Sequence, residues 1–422
     1  MFSHQPLNAP SAAARLAALR DLPRPTDAPS PVYVNNHIHT TFSFSPYSPT
    51  LAVYKAREAG LPTAGIMDHD SVAGALEFAQ AGDIWGVATT QGIECRVTLA
   101  GTPYENTLVN NPDQRGNIYA SMHGLPAPSL ARVDAFFAPL RAARERRNRH
   151  MTQRLNALLA PLGLELNYED DIRSISQAAH GGTVTERHIC MAASQAMLRH
   201  FGCGDALITA LRDGLAIAPS SRIEAYLRDE ANAYAAYDLL GLLKSALVPR
   251  FFIAATDECP SLADFMRVCR DAGGIAAYPY LGDIGDSVTG DKAAQAFEDA
   301  FLDELMRFLR DAGFDAITYM PTRNTAAQLS RLQALCRTHG FFEISGEDIN
   351  SPRQSFICPA LENPAFAHLR TATWALIGHE RAAGDDLADG MFSAQTKARL
   401  PDLQARIEAF AQRGIQSLQR HG

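Results

Sequence analysis

From Val32 onward the chain repeats one pattern: a short apolar run, a polar cluster, and a capped segment with apolar residues at helical spacing. The first run, Val32-Tyr33-Val34, leads into Asn35-Asn36-His37-Ile38-His39-Thr40, where the two-residue period of an extended strand puts His37 and His39 on one face. Ser48-Pro49 then opens a helix that should stop at Gly60. Thr63 to Met67 reads as a strand ending in Asp68-His69-Asp70, and Ser71 as the cap of a helix bearing Val72, Ala75, Leu76 and Ala79. Strands are expected around Val87 to Cys95, which carries Gly92-Ile93-Glu94, and around Asn117 to Met122, which runs into His123-Gly124.

The alternation resumes at Ser261, which caps a helix with Leu262, Phe265, Met266 and Cys269 on one face, followed by a strand from Ile275 to Tyr278. A helix with Phe297, Phe301 and Leu305 leads through Gly313 to the strand Ala316 to Met320. Thr325 and Gln328 make a capping box for a helix ending at Gly340, and the last strand, Phe341 to Ser345, runs into Gly346-Glu347-Asp348-Ile349-Asn350. Seven strands alternating with helices predict an α/β architecture with a parallel sheet, most simply a closed or distorted barrel. The division expected is an N-terminal arm (1–30), a first barrel part (31–127), a helical insertion (128–250), a second barrel part (251–361) and a helical C-terminal extension (362–422).

Composition narrows the class without changing this picture. A chain of 422 residues with 46% hydrophobic and 20% charged residues is long enough for an enzyme and shows no sign of disorder. The net charge of −8 offers no footprint for a nucleic-acid polymer, so a small or metal-bound substrate fits better. Seven scattered cysteines without CxxC spacing indicate neither a disulfide framework nor a thiolate zinc site, and suggest a reducing, cytoplasmic setting. Met1 to Arg20 lacks an apolar leader core, and no apolar run approaches the ~18–20 residues of a membrane span.

Candidate chemistry falls at the strand ends, where a parallel barrel carries its active site. His37 and His39, then His69, Glu94, His123 and Asp348 each end a predicted strand. His-x-His alone is explained equally well by two hydrogen-bonded histidines, but five strands delivering ligand-type side chains to one rim point to a metal centre. Imidazoles mixed with carboxylates favour Zn, Mn or Fe over an oxygen cage for calcium or magnesium.

Taken in order, His37-Ile-His39-Thr40, Asp68-His69-Asp70, Gly92-Ile-Glu94, His123, Thr185-Glu-Arg-His188-Ile and Gly346-Glu-Asp348 resemble the motifs of the PHP (polymerase and histidinol phosphatase) superfamily. The resemblance covers about residues 32–125, 180–200 and 256–360. It implies a distorted (β/α)7 barrel and a metal-dependent phosphoesterase acting on a small phosphorylated metabolite or nucleotide through a metal-bridging hydroxide. It also implies two divalent transition metals, one held by His37, His39, Glu94 and Asp348 and one by a bridging Glu94 with His123 and His188. Thr185 is a plausible cap that would place His188 in the first turn of a helix with the stripe Ile189, Ala192, Ala193 and Ala196.

The chain also departs from that pattern. Phe44 and Asn350 stand where many members carry an acid and a histidine for a third metal, Tyr278-Pro279 replaces a frequent His-Pro, and Thr318 replaces a common acid. Two metals are therefore expected, with the third site absent or feeble. His69 is then a candidate for protonating the leaving group or orienting substrate, while Arg323 and Arg353, in loops after the last strands, are candidate phosphoryl-binding cations. Asp68 and Asp70 are expected to make loop and helix-cap hydrogen bonds, and Asp257 and Glu258 are expected near the same mouth on their placement alone. The rival readings are an amidohydrolase-like hydrolase of a lactone, ester or amide, and a non-catalytic or nucleic-acid-associated module.

Overall fold

The computed structural model describes residues 5–284 and 296–419. Six strands, β1 (Thr63–His69), β2 (Ala88–Thr98), β3 (Asn117–His123), β4 (Ile275–Pro279), β5 (Ala316–Tyr319) and β6 (Phe342–Ser345), form one curled sheet in sequence order. β1 pairs parallel with β2, and β4, β5 and β6 are mutually parallel, but β3 runs antiparallel to both of its neighbours. The all-parallel expectation is corrected at β3. The chain between Thr98 and Asn117 forms turns and contains no helix, so it supplies no crossover and the next strand returns antiparallel.

The segment carrying the two histidines is extended but is not a regular strand. Ile38 makes single parallel bridges to Ile66 of β1 and to Ile349 beyond β6, so the segment spans the two edges of the sheet. Ile38 N–H donates to Gly65 (2.9 Å), Met67 N–H to Ile38 (3.0 Å), His39 N–H to Ile349 (2.9 Å) and Ile349 N–H to His37 (3.1 Å). Glycine is needed on both flanks. A Cβ at Gly65 would lie 2.7 Å from Asn36 Cα, and one at Gly346 would lie 2.6 Å from His37 N.

Helices cover the sheet: α1 (Ala12–Asp21), α2 (Pro49–Glu58) and α3 (Ala75–Trp85) precede β2. α3 starts later than expected. Gly74 is its cap, while the Ser71 hydroxyl donates to the Gly181 carbonyl (2.8 Å) and so ties this loop to the insertion. The insertion holds α4 (Leu130–Leu159), α5 (Glu186–Phe201) and α6 (Ala235–Ala246), with shorter helical segments between. It has a core of its own, built from Met151, Leu155, Ile172, Ile189, Met197, Leu239, Leu243 and Phe251, and Phe44 enters it from the barrel.

α7 (Leu262–Asp271), α8 (Leu302–Ala312) and α9 (Ala326–His339) alternate with β4 to β6, and the Thr325/Gln328 capping box closes as expected. α8 begins after Phe301, so Phe297 and Phe301 precede it. α10 (Ala367–Asp385) and α11 (Leu403–Gln419) belong to the C-terminal extension, where Leu376, Met391 and Phe410 pack on Ile275, Ala316, Phe342 and Ile344. Among the described residues no helix is long and apolar enough to cross a membrane.

Candidate metal centre

The loop after His39 is fastened from below by Asp68. This buried carboxylate accepts from the Thr40 amide (2.7 Å), the Thr40 hydroxyl (2.6 Å) and the Ser43 hydroxyl (2.6 Å), bearing out its expected loop role. Ser43 thus spends its proton on Asp68, so its oxygen accepts from His39 Nδ1 at 3.2 Å. That fixes the tautomer and leaves the lone pair on His39 Nε2, the arrangement a metal ligand needs. Nε2 faces Asp348 Oδ1 at 3.2 Å, and a proton or a cation must lie between two such lone pairs.

Glu94 completes the group from β2, in register with His69 of β1. Candidate ligand atoms of His37, His39 and Glu94 lie within 4.8 Å of one another, and among the described residues this is the one such group of three. His37 Nε2 is 3.7 Å and His69 Nδ1 3.3 Å from Glu94 Oε2, and the His69 ring stacks on that of His39 at 4.7 Å. Burial opposes charge on His37, but Glu94, Asp348 and Asp68 outweigh it and raise its pKa. Burial, with the positive charge of Arg144 and Arg96, holds His69 well below the usual histidine range.

His123 ends an antiparallel strand, so it does not sit on the common rim that was expected. Ser121 pairs with Glu94, and two residues on, strand alternation returns His123 to the same face as Glu94. Burial, with some repulsion from His37, pushes its pKa down to about 3, leaving a neutral ring. Three buried imidazole nitrogens here, His37 Nε2, His69 Nδ1 and His123 Nε2, have no hydrogen-bond partner. Unsatisfied buried nitrogens are costly unless something arrives to use them, and this donor set fits a divalent transition metal.

Asn350, standing where a histidine was sought, donates to Asp348 Oδ1 at 2.6 Å and so positions that carboxylate. Phe44 is a core residue of the insertion, edge-on to His188 with ring centroids 5.0 Å apart. His188 itself is not brought into the group of three. It is buried at the start of α5, and its Nδ1 accepts the Thr185 amide at 3.0 Å. The two candidate arginines are engaged elsewhere: Arg353 forks onto Asp238 (2.7 and 2.8 Å) between Tyr226 and Tyr234, and Arg323 Nε donates to the Leu281 carbonyl (3.1 Å).

Sequence reasoning missed a second buried centre beside the first. Asp70 does not cap a helix; it accepts from Arg144 (2.6 Å). Arg144 also reaches Glu186 (2.7 Å), which is shared with Arg96 (2.9 Å) and Arg147 (2.7 Å). Arg147 reaches on to Glu258 (2.6 Å), whereas Asp257 is exposed. The only available signal was the run of arginines in α4, which also reads as a solvated helix face.

Residues 35–195 match the family model of the PHP domain. Within that range the chain carries His37, His39, His69, Glu94, His123 and His188. Its curled sheet is shared with two solved structures: a candidate metal-dependent phosphoesterase from Bifidobacterium adolescentis (20% identity, TM-score 0.50, 81% of this chain and 96% of that one) and an amidohydrolase from Chromobacterium violaceum holding sulfate and no metal (18% identity, TM-score 0.51, 80% and 96%). At such identities they show a common fold. A stretch of 79 residues is 35% identical to an error-prone DNA polymerase of Nocardia farcinica (strain IFM 10152), 18% of this chain but only 7% of that protein.

Proposed function

We propose that this PHP domain is a metal-dependent hydrolase that cleaves phosphate esters of small metabolites or nucleotides. The observation that carries the reading is the buried group of His37, His39 and Glu94, with Asp348 beside it and buried imidazole nitrogens that have no hydrogen-bond partner. His37, His39, Glu94 and Asp348 would hold a first metal, and Glu94 with His123 a second. Such a pair supplies Lewis acidity to a phosphoryl oxygen and acidifies water near neutral pH. Asp348 is the more exposed ligand, its side chain 41% accessible against 3% for His39, so substrate approaches from its side.

The protein's own groups set up that chemistry. Asp68 and Ser43 hold His39, Asn350 holds Asp348, and His69, kept neutral, is better suited to partner Glu94 than to act as a charged acid. The sulfate in the Chromobacterium structure is a tetrahedral oxyanion like a phosphoryl group, which supports the phosphoester reading. That neighbour's designation as an amidohydrolase keeps amide, ester and lactone hydrolysis as the second reading. Metal analysis of the reconstituted protein, joined to a panel of phosphate esters, lactones and amides, tests both. Two metals per chain and turnover of phosphate esters are expected. Absence of bound metal after reconstitution, or turnover of carboxylic substrates alone, overturns the phosphoesterase.

A further inference from the structure

Tyr119, on β3, lies opposite Arg96 of β2, and two residues on Ser121 lies opposite Glu94. Residues paired across an antiparallel ladder share a face and alternate residues return to it, so Tyr119, Arg96 and Glu94 all project from one side of the sheet. The Tyr119 ring meets a ring from beyond β2: its centroid is 5.8 Å from that of His69, on β1. Neighbouring strands are about 4.8 Å apart, so β1 and β3 stand roughly 10 Å apart with β2 between them. Two rings from those strands come this close only by leaning over β2. His69 Nδ1 is itself 3.3 Å from Glu94 Oε2, so Tyr119 reaches across the sheet toward Glu94 and the metal group. Its hydroxyl, para to Cβ, is the end of the ring farthest from β3.

The phenol is held in that place. The Arg96 guanidinium lies 5.6 Å from the ring centre, and the buried Asn110 side chain grips the strand itself. Asn110 Oδ1 accepts the Tyr119 N–H (2.9 Å), and its Nδ2 donates to the carbonyls of Tyr119 (2.9 Å) and of Pro279 at the end of β4 (2.8 Å). A donor fixed in this way costs little to order when a ligand arrives. Burial, against the pull of Arg96, pushes the phenol up to about 12, so it keeps its proton at neutral pH. Tyr119 is half-buried and the His69 side chain 22% exposed, so this edge of the metal group meets solvent as Asp348 does.

Phenylalanine would make both ring contacts, so what the hydroxyl adds is a hydrogen-bond donor. The arginines expected to meet a phosphoryl group, Arg323 and Arg353, are engaged elsewhere. We propose that Tyr119 binds the substrate, its hydroxyl donating a hydrogen bond to a phosphoryl oxygen of the ester held at the metal group. The proposal rests on the phosphoesterase reading.

The test is Tyr119→Phe, which keeps the ring and removes the donor, compared with the parent on p-nitrophenyl phosphate with inorganic phosphate as inhibitor. In the metal-loaded variant kcat/KM should fall roughly ten- to hundredfold, the worth of a hydrogen bond to a charged group, and inhibition by phosphate should weaken with it. Metal content and Tm should stay at the parent values. Tyr119→Leu, which also removes the ring contacts, should be impaired at least as much. Parent-like kcat/KM and phosphate inhibition in Tyr119→Phe, with only Tyr119→Leu impaired, would show that the ring merely packs and overturns the proposal. Loss of metal from folded Tyr119→Phe overturns it too, because the hydroxyl would then serve the metal group and not the substrate. If no phosphate ester turns over, the phosphoesterase reading fails, and calorimetric titration of the protein with inorganic phosphate reads Tyr119 by itself. Binding weakened in Tyr119→Phe supports the hydrogen bond; equal binding in both, or no binding to the unaltered protein, overturns it.

Discussion

Two buried charged centres lie side by side in this protein, and they are built on opposite principles. In the arginine centre, three carboxylates (Asp70, Glu186, Glu258) face three guanidiniums (Arg96, Arg144, Arg147), and every carboxylate is met by at least one cation at 2.6–2.9 Å. Burial opposes charge on Glu186, but its three arginines hold it well below the usual carboxylate range. In the histidine centre, His37, His39, Glu94 and Asp348 bring together two carboxylates, and three neighbouring imidazole nitrogens have no hydrogen-bond partner. A closed charge balance holds a structure together, whereas an open one waits for a cation. The arginine centre joins barrel to insertion; in the histidine centre the Asp348 side chain stays 41% exposed.

Removing one member should therefore do different things in the two places. Glu94→Gln, which takes the shared carboxylate from the histidine centre, should lower turnover by about 10³-fold or more and release metal, because several kcal/mol of charge stabilisation go with it. Metal content and kcat/KM on an active phosphate ester measure this, and full metal retention would break the comparison. Arg147→Met, by contrast, leaves buried Glu258 with only the longer hydrogen bond to Arg96 (3.4 Å) and weakens the hold on Glu186, and should destabilise the fold by about 3–5 kcal/mol. A large drop in Tm with unchanged metal per folded chain is expected. Loss of metal with an unchanged Tm would mean that the arginine centre is functional instead.

Ser43→Ala probes how the open centre is held. It removes the group that orients His39, so metal affinity in a chelator competition should fall by about 10–100-fold, with Tm nearly unchanged. An unaltered affinity would show that Ser43 does not set the His39 tautomer.

The difference between the two centres also explains what could be read from the chain. His37, His39, His69, Glu94 and Asp348 were legible because each follows an apolar strand run, although Glu94 stands within β2 and not at the strand end expected for it. The extended character of residues 35–39 was legible too, but single bridges in place of a ladder were not, since glycines at 65 and 346 act through space. The antiparallel turn of β3 had a signal in the lack of a helix between Thr98 and Asn117, but the parallel sheet expected from the alternation passed over it, and with it the consequence for His123. The arginine centre was invisible because its partners are far apart in sequence: Arg144 and Arg147 lie on one helix, while Asp70, Arg96, Glu186 and Glu258 come from four other segments. Ser43 and Asn350 escaped for the same reason, as small polar residues whose roles exist only once a loop has folded over them.

Glu380 offers the smallest and cleanest contrast with Glu186. Both are buried glutamates, but Glu380, on α10, accepts only neutral donors at hydrogen-bond distance, the Gln91 amide (2.7 Å) and the Thr90 hydroxyl (3.0 Å). Burial pushes its pKa up to about 8, against those hydrogen bonds and a weaker pull from Arg381. With the folded value above the unfolded one, the folded state binds the extra proton between roughly pH 4.5 and 8, and stability is lost as pH rises through that window. The slope from one proton is at most about 1.4 kcal/mol per pH unit. Glu380→Gln keeps an acceptor and cannot ionise, so its Tm should fall less than that of the parent between pH 5 and about 8, with the two converging toward acid. Parallel Tm profiles would show that Glu380 ionises freely, and that burial without a cation does not distinguish it from Glu186.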